Sequence, residues 1–169
     1  MTPAETLFKD GQAAYGHKDY EKAADLFQQA IALDSTESGY WMYWGLSLEW
    51  LHRYVEAEDA LTKAINLSPD IPHLYMNRGH IKYRAQKYHE ALEDFNRAYM
   101  LDDTETWDFG LYNLFLYSGF CHEALGEYEH AIADYGLYGS RSGHPHAGDR
   151  YINSLKAKLA QLEQNKPNT

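Results

Sequence analysis

The stretch "RYVEAEDALTKAINLS" at residues 53–68 has the apolar spacing of an amphipathic helix, and close variants of it occur three more times. The variants are "DYEKAADLFQQAIALD" (19–34), "KYHEALEDFNRAYMLD" (87–102) and "EYEHAIADYGLY" (127–138). Each has an aromatic residue at its second position, followed by an alanine three positions later and a large residue four further on. A fixed period of this kind is typical of stacked repeat proteins.

Small residues recur in a constant register with these stretches. The first three units start 34 residues apart and the fourth starts 40 residues after the third. A glycine lies twelve residues before each of these alanines, in the pairs Gly11 and Ala23, Gly45 and Ala57, Gly79 and Ala91, Gly119 and Ala131. Two antiparallel helices approach most closely where neither side chain protrudes, so each unit is predicted to be two amphipathic helices joined by a short turn.

The unit resembles the tetratricopeptide repeat, whose pattern is Trp-x2-Leu-Gly-x2-Tyr, then Ala-x3-Phe, then Ala and Pro. The second unit follows that pattern at Trp41, Gly45, Ala57, Ala64 and Pro69. The resemblance implies an all-α, right-handed superhelical solenoid of about four helix pairs plus a C-terminal capping helix. It predicts a single domain over 1–164, with repeats at about 4–37, 38–71, 72–105 and 112–140 and a cap helix at 147–164.

The fourth unit departs from the pattern on both sides. Six extra residues precede it around 102–110, and "GSRSGHPHAG" (139–148) predicts that its second helix ends early. The following segment, 149–164, has one apolar helical face formed by Ile152, Leu155, Leu159 and Leu162. We expect it to cap the last repeat, or alternatively to fold into the groove as a self-ligand. Residues 165–169 are predicted to be disordered.

The aromatic-rich segment "SGYWMYWGLSLEW" (38–50) exceeds the needs of one core face, because an amphipathic helix buries only a stripe about 100° wide. The family's repeat positions imply that Trp41, Trp44, Gly45 and Leu48 are core. They also imply that Met42, Leu46, Glu49 and Trp50 face the inner, concave wall, with Tyr43 beside them.

The same positions in the other units complete a predicted partner-binding groove. Its residues are Phe8, Gln12, Tyr15, Met42, Tyr43, Leu46, Trp50, His73, Met76, Asn77, His80, Tyr83, Asn113, Leu116 and Phe120. So much apolar surface exceeds the contiguous patch that a monomer normally exposes, and aromatic residues and methionine are enriched at binding surfaces. We therefore expect a non-enzymatic interaction module, adaptor or chaperone-like, that binds a protein or peptide with an apolar segment. The alternative is a structural homo-oligomer, for example a homodimer, whose aromatic wall is closed by self-association or by the C-terminal helix.

One binding mode of the family can be tested against the sequence. Its chaperone-tail binders hold a C-terminal carboxylate with Lys and Asn, then Asn, then Lys and Arg, on three consecutive first helices. The matching positions here are Phe8 and Gln12, Tyr43, then His73 and Asn77; one repeat later they are Met42 and Leu46, Asn77, then Asn113 and Tyr117. Carboxylate capture requires charge-assisted donors, and neither register supplies cations, so we expect no binding of acidic tails.

Composition excludes several other function classes. A net charge of −10 disfavours nucleic acid as a partner, and the sequence lacks both a membrane-length apolar stretch and an N-terminal signal pattern, so we expect a cytoplasmic protein. We find no phosphate-binding loop, zinc-protease motif or nucleophile elbow, and we expect no cofactor and no metal site, because the nine histidines are spread over separate predicted helices. The single cysteine, Cys121, is predicted to be a buried, inert thiol.

Overall fold

The computed structural model describes residues 1–102 and 110–164, and these residues form nine α-helices. The helices are α1 (Pro3–Gly16), α2 (Tyr20–Leu33), α3 (Ser38–Trp50), α4 (Tyr54–Leu67), α5 (Pro72–Arg84), α6 (Tyr88–Leu101), α7 (Asn113–Leu125), α8 (Tyr128–Arg141) and α9 (Asp149–Gln164). Each of the first four pairs packs as an antiparallel hairpin, and the all-α fold is confirmed. Within the described ranges, every helix is too short or too polar to cross a membrane.

Local sequence signals set several helix ends. Thr2 caps α1 through a reciprocal pair of hydrogen bonds: the Glu5 N–H donates to Thr2 Oγ1 (3.2 Å), and the Thr2 N–H donates to Glu5 Oε2 (2.7 Å). The Asp19 carboxylate accepts the Lys22 N–H at the start of α2. Pro72 begins α5, where its missing N–H would have had no helical partner.

The four hairpin turns share one backbone feature. The residue seven positions after each repeat glycine has a positive φ: 62° at Lys18, 60° at His52, 63° at Gln86 and 80° at Gly126. Only the fourth turn uses glycine, the residue that accepts this left-handed conformation without steric penalty. The same turn geometry therefore occurs without glycine in three of these four hairpins.

The repeat glycines lie where the two helices of a pair are closest. A Cβ on Gly11 would stand 2.6 Å from Cε1 of Phe27, and one on Gly79 would stand 2.6 Å from Cε1 of Phe95. At Gly45 the nearest atom is the Ala57 carbonyl oxygen, at 3.1 Å. The predicted close crossing of the two helices is therefore present. At Gly11 and Gly79 the missing side chain leaves room for a phenylalanine ring of the second helix, Phe27 or Phe95.

The chain divides into two compact units, residues 1–101 and 102–169. In the first unit, α1–α6 form three successive hairpins, each packed on the next. In the second unit, α9 packs on α8, and Leu155 is buried with Ala131 and Tyr135. Ile152 and Leu159 pack against the same cluster, whereas Leu162 is 49% exposed.

The expectation that the fourth second helix ends early was wrong. Helix α8 continues to Arg141 and has 14 residues, the same length as α2, α4 and α6. Gly139 is buried inside α8 where the following segment folds back against the helix, so this glycine serves a close contact and does not mark a helix end; a Cβ on Gly139 would stand 2.7 Å from the Pro145 carbonyl oxygen. Most of the insertion at 102–110 and the predicted disordered tail at 165–169 lie outside the described residues.

Candidate functional site

In the first unit, the odd-numbered helices α1, α3 and α5 carry most of the residues predicted to bind a partner. We call these residues the first-helix face: Phe8, Gln12, Tyr15, Met42, Tyr43, Leu46, Trp50, His73, Met76, Asn77, His80 and Tyr83. Trp50 is exposed, and all the others are half-buried. Half-burial is the state in which a side chain is held by its neighbours and still offers part of its surface to another molecule.

An aromatic cluster joins α1 to α3 on this face. The Phe8 ring lies 4.7 Å from the Tyr40 ring and 5.4 Å, edge-on, from the Tyr43 ring, measured between centroids. Tyr43 also meets Tyr15 at right angles, at 6.0 Å. Edge-to-face contacts of this kind are favourable and fix ring orientation. The structure thus brings Phe8, Tyr15 and Tyr43 together, although they come from two different repeats.

Trp50 extends this cluster towards solvent. Its indole Nε1–H donates a hydrogen bond to the Tyr15 hydroxyl oxygen (3.1 Å), and its ring stacks on Tyr20 with centroids 5.1 Å apart and an interplanar angle of 4°. The side chain nevertheless remains 49% exposed. Partial burial raises the pKa of the Tyr15 phenol, so it stays neutral and can both accept from Trp50 and donate elsewhere. Trp50 is therefore a large apolar surface held in one orientation before any partner arrives.

Glu49 corrects one prediction about this face. We expected it to face the groove, but its side chain is only 4% exposed and lies between α3 and α5. Glu49 Oε1 lies 3.1 Å from His80 Nδ1 and 3.5 Å from Arg84 Nη1. A buried carboxylate needs such partners, and the contacts tie α3 to α5. Sequence reasoning missed this pairing because His80 and Arg84 belong to the next repeat.

The two tryptophans expected in the core are less buried than predicted. Leu48 is fully buried, and Trp44 packs against the cluster of Ala14, Ala23 and Phe27. Trp41 is half-buried, and its Nε1–H donates to the Ser35 carbonyl oxygen (2.9 Å). Trp41 therefore fixes the connection between α2 and α3 in addition to filling space.

The second unit places its predicted groove residues differently. Leu116 and Phe120 pack against the apolar cluster of Ala131, Tyr135 and Leu155, and the Phe120 ring meets the Tyr151 ring of α9 at 5.4 Å. Asn113 Nδ2 donates to the Gly110 carbonyl oxygen (2.9 Å) at the start of α7. These residues contribute to the packing of α7 with α8 and α9 and, like the first-helix face, are half-buried, so their part in binding a partner stays a prediction.

Known proteins share sequence similarity with this chain. A family model for the tetratricopeptide repeat matches residues 72–105. The Protein STIP1 homolog of Dictyostelium discoideum is 35% identical over 103 residues, which are 59% of this chain and 18% of that protein. The chain spans less than a fifth of the length of the first curated relatives that it matches.

Solved structures share the fold. The crystal structure of MamA protein superposes with a TM-score of 0.71 and 14% identity, covering 98% of this chain and 97% of that one. The first TPR of Spaghetti (RPAP3), solved bound to the HSP90 peptide SRMEEVD, gives a TM-score of 0.66 and 20% identity over 73% of this chain and 93% of that one. The family model thus shows a tetratricopeptide repeat at residues 72–105, and the solved structures show that the chain has the helix-hairpin fold of tetratricopeptide repeat proteins.

Proposed function

We propose that this protein is a non-enzymatic interaction module whose first-helix face binds an apolar peptide segment of another protein. The observation that carries the proposal is Trp50, a 49% exposed indole held by Tyr15 and Tyr20 beside the Phe8–Tyr43 cluster. Ordering a large side chain at an interface opposes binding, and here that ordering is already present in the free chain. Tryptophan and tyrosine are also the residue types that contribute most to binding energy at interfaces.

The chemistry of the face favours an apolar partner over an acidic tail. The first TPR of RPAP3 is bound to the acidic peptide SRMEEVD, and capture of carboxylates requires charge-assisted donors. At the matching positions this chain has Phe8, Gln12 and Tyr43, and the Phe8 and Tyr43 rings contact each other there. A net charge of −10 further disfavours an anionic peptide. A neutral or basic segment with apolar side chains fits both features.

Peptide selection tests this proposal. A displayed library of random 12-residue peptides would be selected on the intact chain and counter-selected on the Met42→Ser, Leu46→Ser, Trp50→Ser triple variant. Val55→Ser is the matched control, because Val55 is a 71% exposed apolar residue on α4, outside the first-helix face. Circular dichroism must first show equal helicity for all three proteins.

We expect apolar peptides that bind the wild type and the control but not the triple variant. Peptides that bind all three proteins equally would place binding elsewhere. Light scattering over a range of concentrations tests the alternative, self-association. A stable dimer that the triple variant converts to a monomer would mean that this face closes on a second copy of the chain, and the proposal would then fail.

A further inference from the structure

We propose that the turn between α7 and α8 is a zinc-binding site formed by His122, Glu127 and His130. His122 lies in the last turn of α7, Glu127 is the residue that precedes α8, and His130 lies in the first turn of α8. Imidazole nitrogen and carboxylate oxygen are ligands that zinc prefers, and two histidines with one glutamate are an established donor set for it.

The three side chains already lie at nearly the right separations. His122 Nε2 is 3.6 Å from Glu127 Oε2, and His130 Nδ1 is 3.9 Å from the same oxygen. One donor atom from each of the three residues can be chosen so that all lie within 4.8 Å of one another. Tetrahedral zinc with bonds of about 2.0–2.1 Å holds its donors roughly 3.4 Å apart. A contraction of less than 1.5 Å, by rotation of exposed side chains, would therefore complete the site.

A fourth residue orients the most buried ligand. His122 Nδ1 lies 2.7 Å from Asp134 Oδ2, and both side chains are mostly buried. When the Nδ1–H donates to this carboxylate, Nε2 is left as the lone-pair donor, and it faces Glu127. A carboxylate behind a coordinating histidine is the usual outer partner in zinc sites, where it fixes the tautomer and the ring orientation.

The third repeat provides an internal comparison. Forty residues earlier, at the same places relative to the repeat glycine, the chain has Lys82, Lys87, Glu90 and Asp94. Lys82 Nζ lies 2.9 Å from Asp94 Oδ2, so a lysine there makes the same contact that His122 makes with Asp134. A side chain that donates a hydrogen bond to this aspartate is therefore present in both repeats, and it need not be histidine. Two lysines would repel a metal ion, whereas the fourth repeat replaces them with two ligands.

The backbone of the turn holds the ligands close. Gly126 has φ +80°, and the following Glu127 N–H donates to the His122 carbonyl oxygen (2.8 Å). This hydrogen bond places Glu127 beside His122 across the end of α7. We expected no metal site because the histidines are spread over separate predicted helices, and the repeat pattern does not show how tightly this turn joins two of them.

The site is open to solvent on one side. The side chains of His130 and Glu127 are 73% and 42% exposed, whereas the His122 side chain, on the inner side, is only 20% exposed. An ion can therefore enter without unfolding of the hairpin. With three protein donors among the described residues, the fourth coordination position is expected to hold water.

Cobalt substitution tests this site on the full chain without a histidine tag. Co²⁺ reports tetrahedral coordination through strong visible absorption, and Zn²⁺ should displace it at a 1:1 ratio. The decisive variant is His122→Lys, because lysine reproduces the Lys82–Asp94 contact of the third repeat and keeps the hairpin folded. Glu127→Gln removes a second ligand with little change in volume at an exposed position.

The control is His146→Asn, which removes another exposed histidine that lies 2.7 Å from a carboxylate, Asp149. We expect His122→Lys and Glu127→Gln each to weaken zinc binding by at least about tenfold, because even the loss of a residue behind a metal ligand has an effect of this size. We expect His146→Asn to leave zinc affinity unchanged. Equal affinity in all four proteins, or no 1:1 complex in the wild type, would overturn the proposal. Circular dichroism verifies folding, and thermal denaturation should show a zinc-dependent rise in Tm only for the wild type and the control.

Discussion

Gly11 lies where the ring of Phe27 crosses α1, and this contact predicts the effect of adding one methyl group. Gly11→Ala would place a Cβ 2.6 Å from a ring that is completely buried, so the ring cannot move aside freely. We expect a loss of about 1–3 kcal/mol in the free energy of unfolding, as for other overpacked cores. Gly16→Ala in the same helix meets nothing within 4 Å and is the matched control.

Urea denaturation of both variants measures the difference. The control should be as stable as the wild type or slightly more stable, because alanine favours the helix over glycine. A Gly11→Ala protein no less stable than the control would show that the helices do not cross closely at this position.

Cys121 provides a second prediction for a single residue. The side chain is completely buried, and burial raises the pKa of its thiol from 9.0 to about 12. Because the thiolate is the reactive form, we expect alkylation at pH 8 to be far slower in the native protein than in urea.

The raised pKa also means that the Cys121 thiol holds its proton more tightly in the folded state than in the unfolded state. The contribution of the Cys121 thiol to the free energy of unfolding is complete below about pH 9 and is lost as the pH rises towards 12. Rapid native-state labelling would contradict this account.

At the scale of elements, a buried ion cluster joins α5 to α6. The Asp94 carboxylate accepts two hydrogen bonds from Arg78 (2.8 and 2.6 Å) and lies 2.9 Å from Lys82 Nζ. The hydrogen bonds with Asp94 raise the pKa of Arg78, so the guanidinium stays charged. Asp94→Ala would leave two partly buried cations without their carboxylate, and we expect a loss of about 3–5 kcal/mol.

The matched control is Glu56→Ala, which breaks the exposed ion pair between Arg53 and Glu56. Exposed pairs contribute little, so this variant should unfold at nearly the wild-type urea concentration. If both variants lost the same stability, burial of the cluster would not explain its contribution.

Helix α9 is predicted to stabilise the second unit through one side chain above all. Leu155 is 1% exposed and packs against Ala131 and Tyr135, whereas Leu162, on the same predicted apolar face, is 49% exposed. Leu155→Ala should reduce stability by about 2–5 kcal/mol, and Leu162→Ala by less than about 0.5 kcal/mol. Thermal unfolding followed by circular dichroism distinguishes the two variants, and equal values would mean that α9 does not pack as the structure shows.

At the scale of the whole molecule, the sequence predicted the helix hairpins and their period because glycine, alanine and one large residue recur in constant register. It predicted Glu49 wrongly, since repeat positions describe each unit alone and the partners of Glu49 belong to the next one. It also did not reveal the cluster of His122, Glu127 and His130, which depends on a turn between two helices. The periodicity therefore predicts contacts inside a repeat. It does not predict contacts between helix ends or between neighbouring repeats.

The most direct test of the proposed binding face is a calorimetric titration with two peptides. One is an apolar peptide obtained by selection, and the other is the acidic peptide SRMEEVD, which RPAP3 binds. We expect the apolar peptide to bind the wild type and Val55→Ser equally and to bind Trp50→Ser at least about tenfold more weakly, as for an interface hot spot. We expect no heat of binding from the acidic peptide. Tight binding of SRMEEVD, or apolar-peptide affinity that is unchanged by Trp50→Ser, would contradict the account.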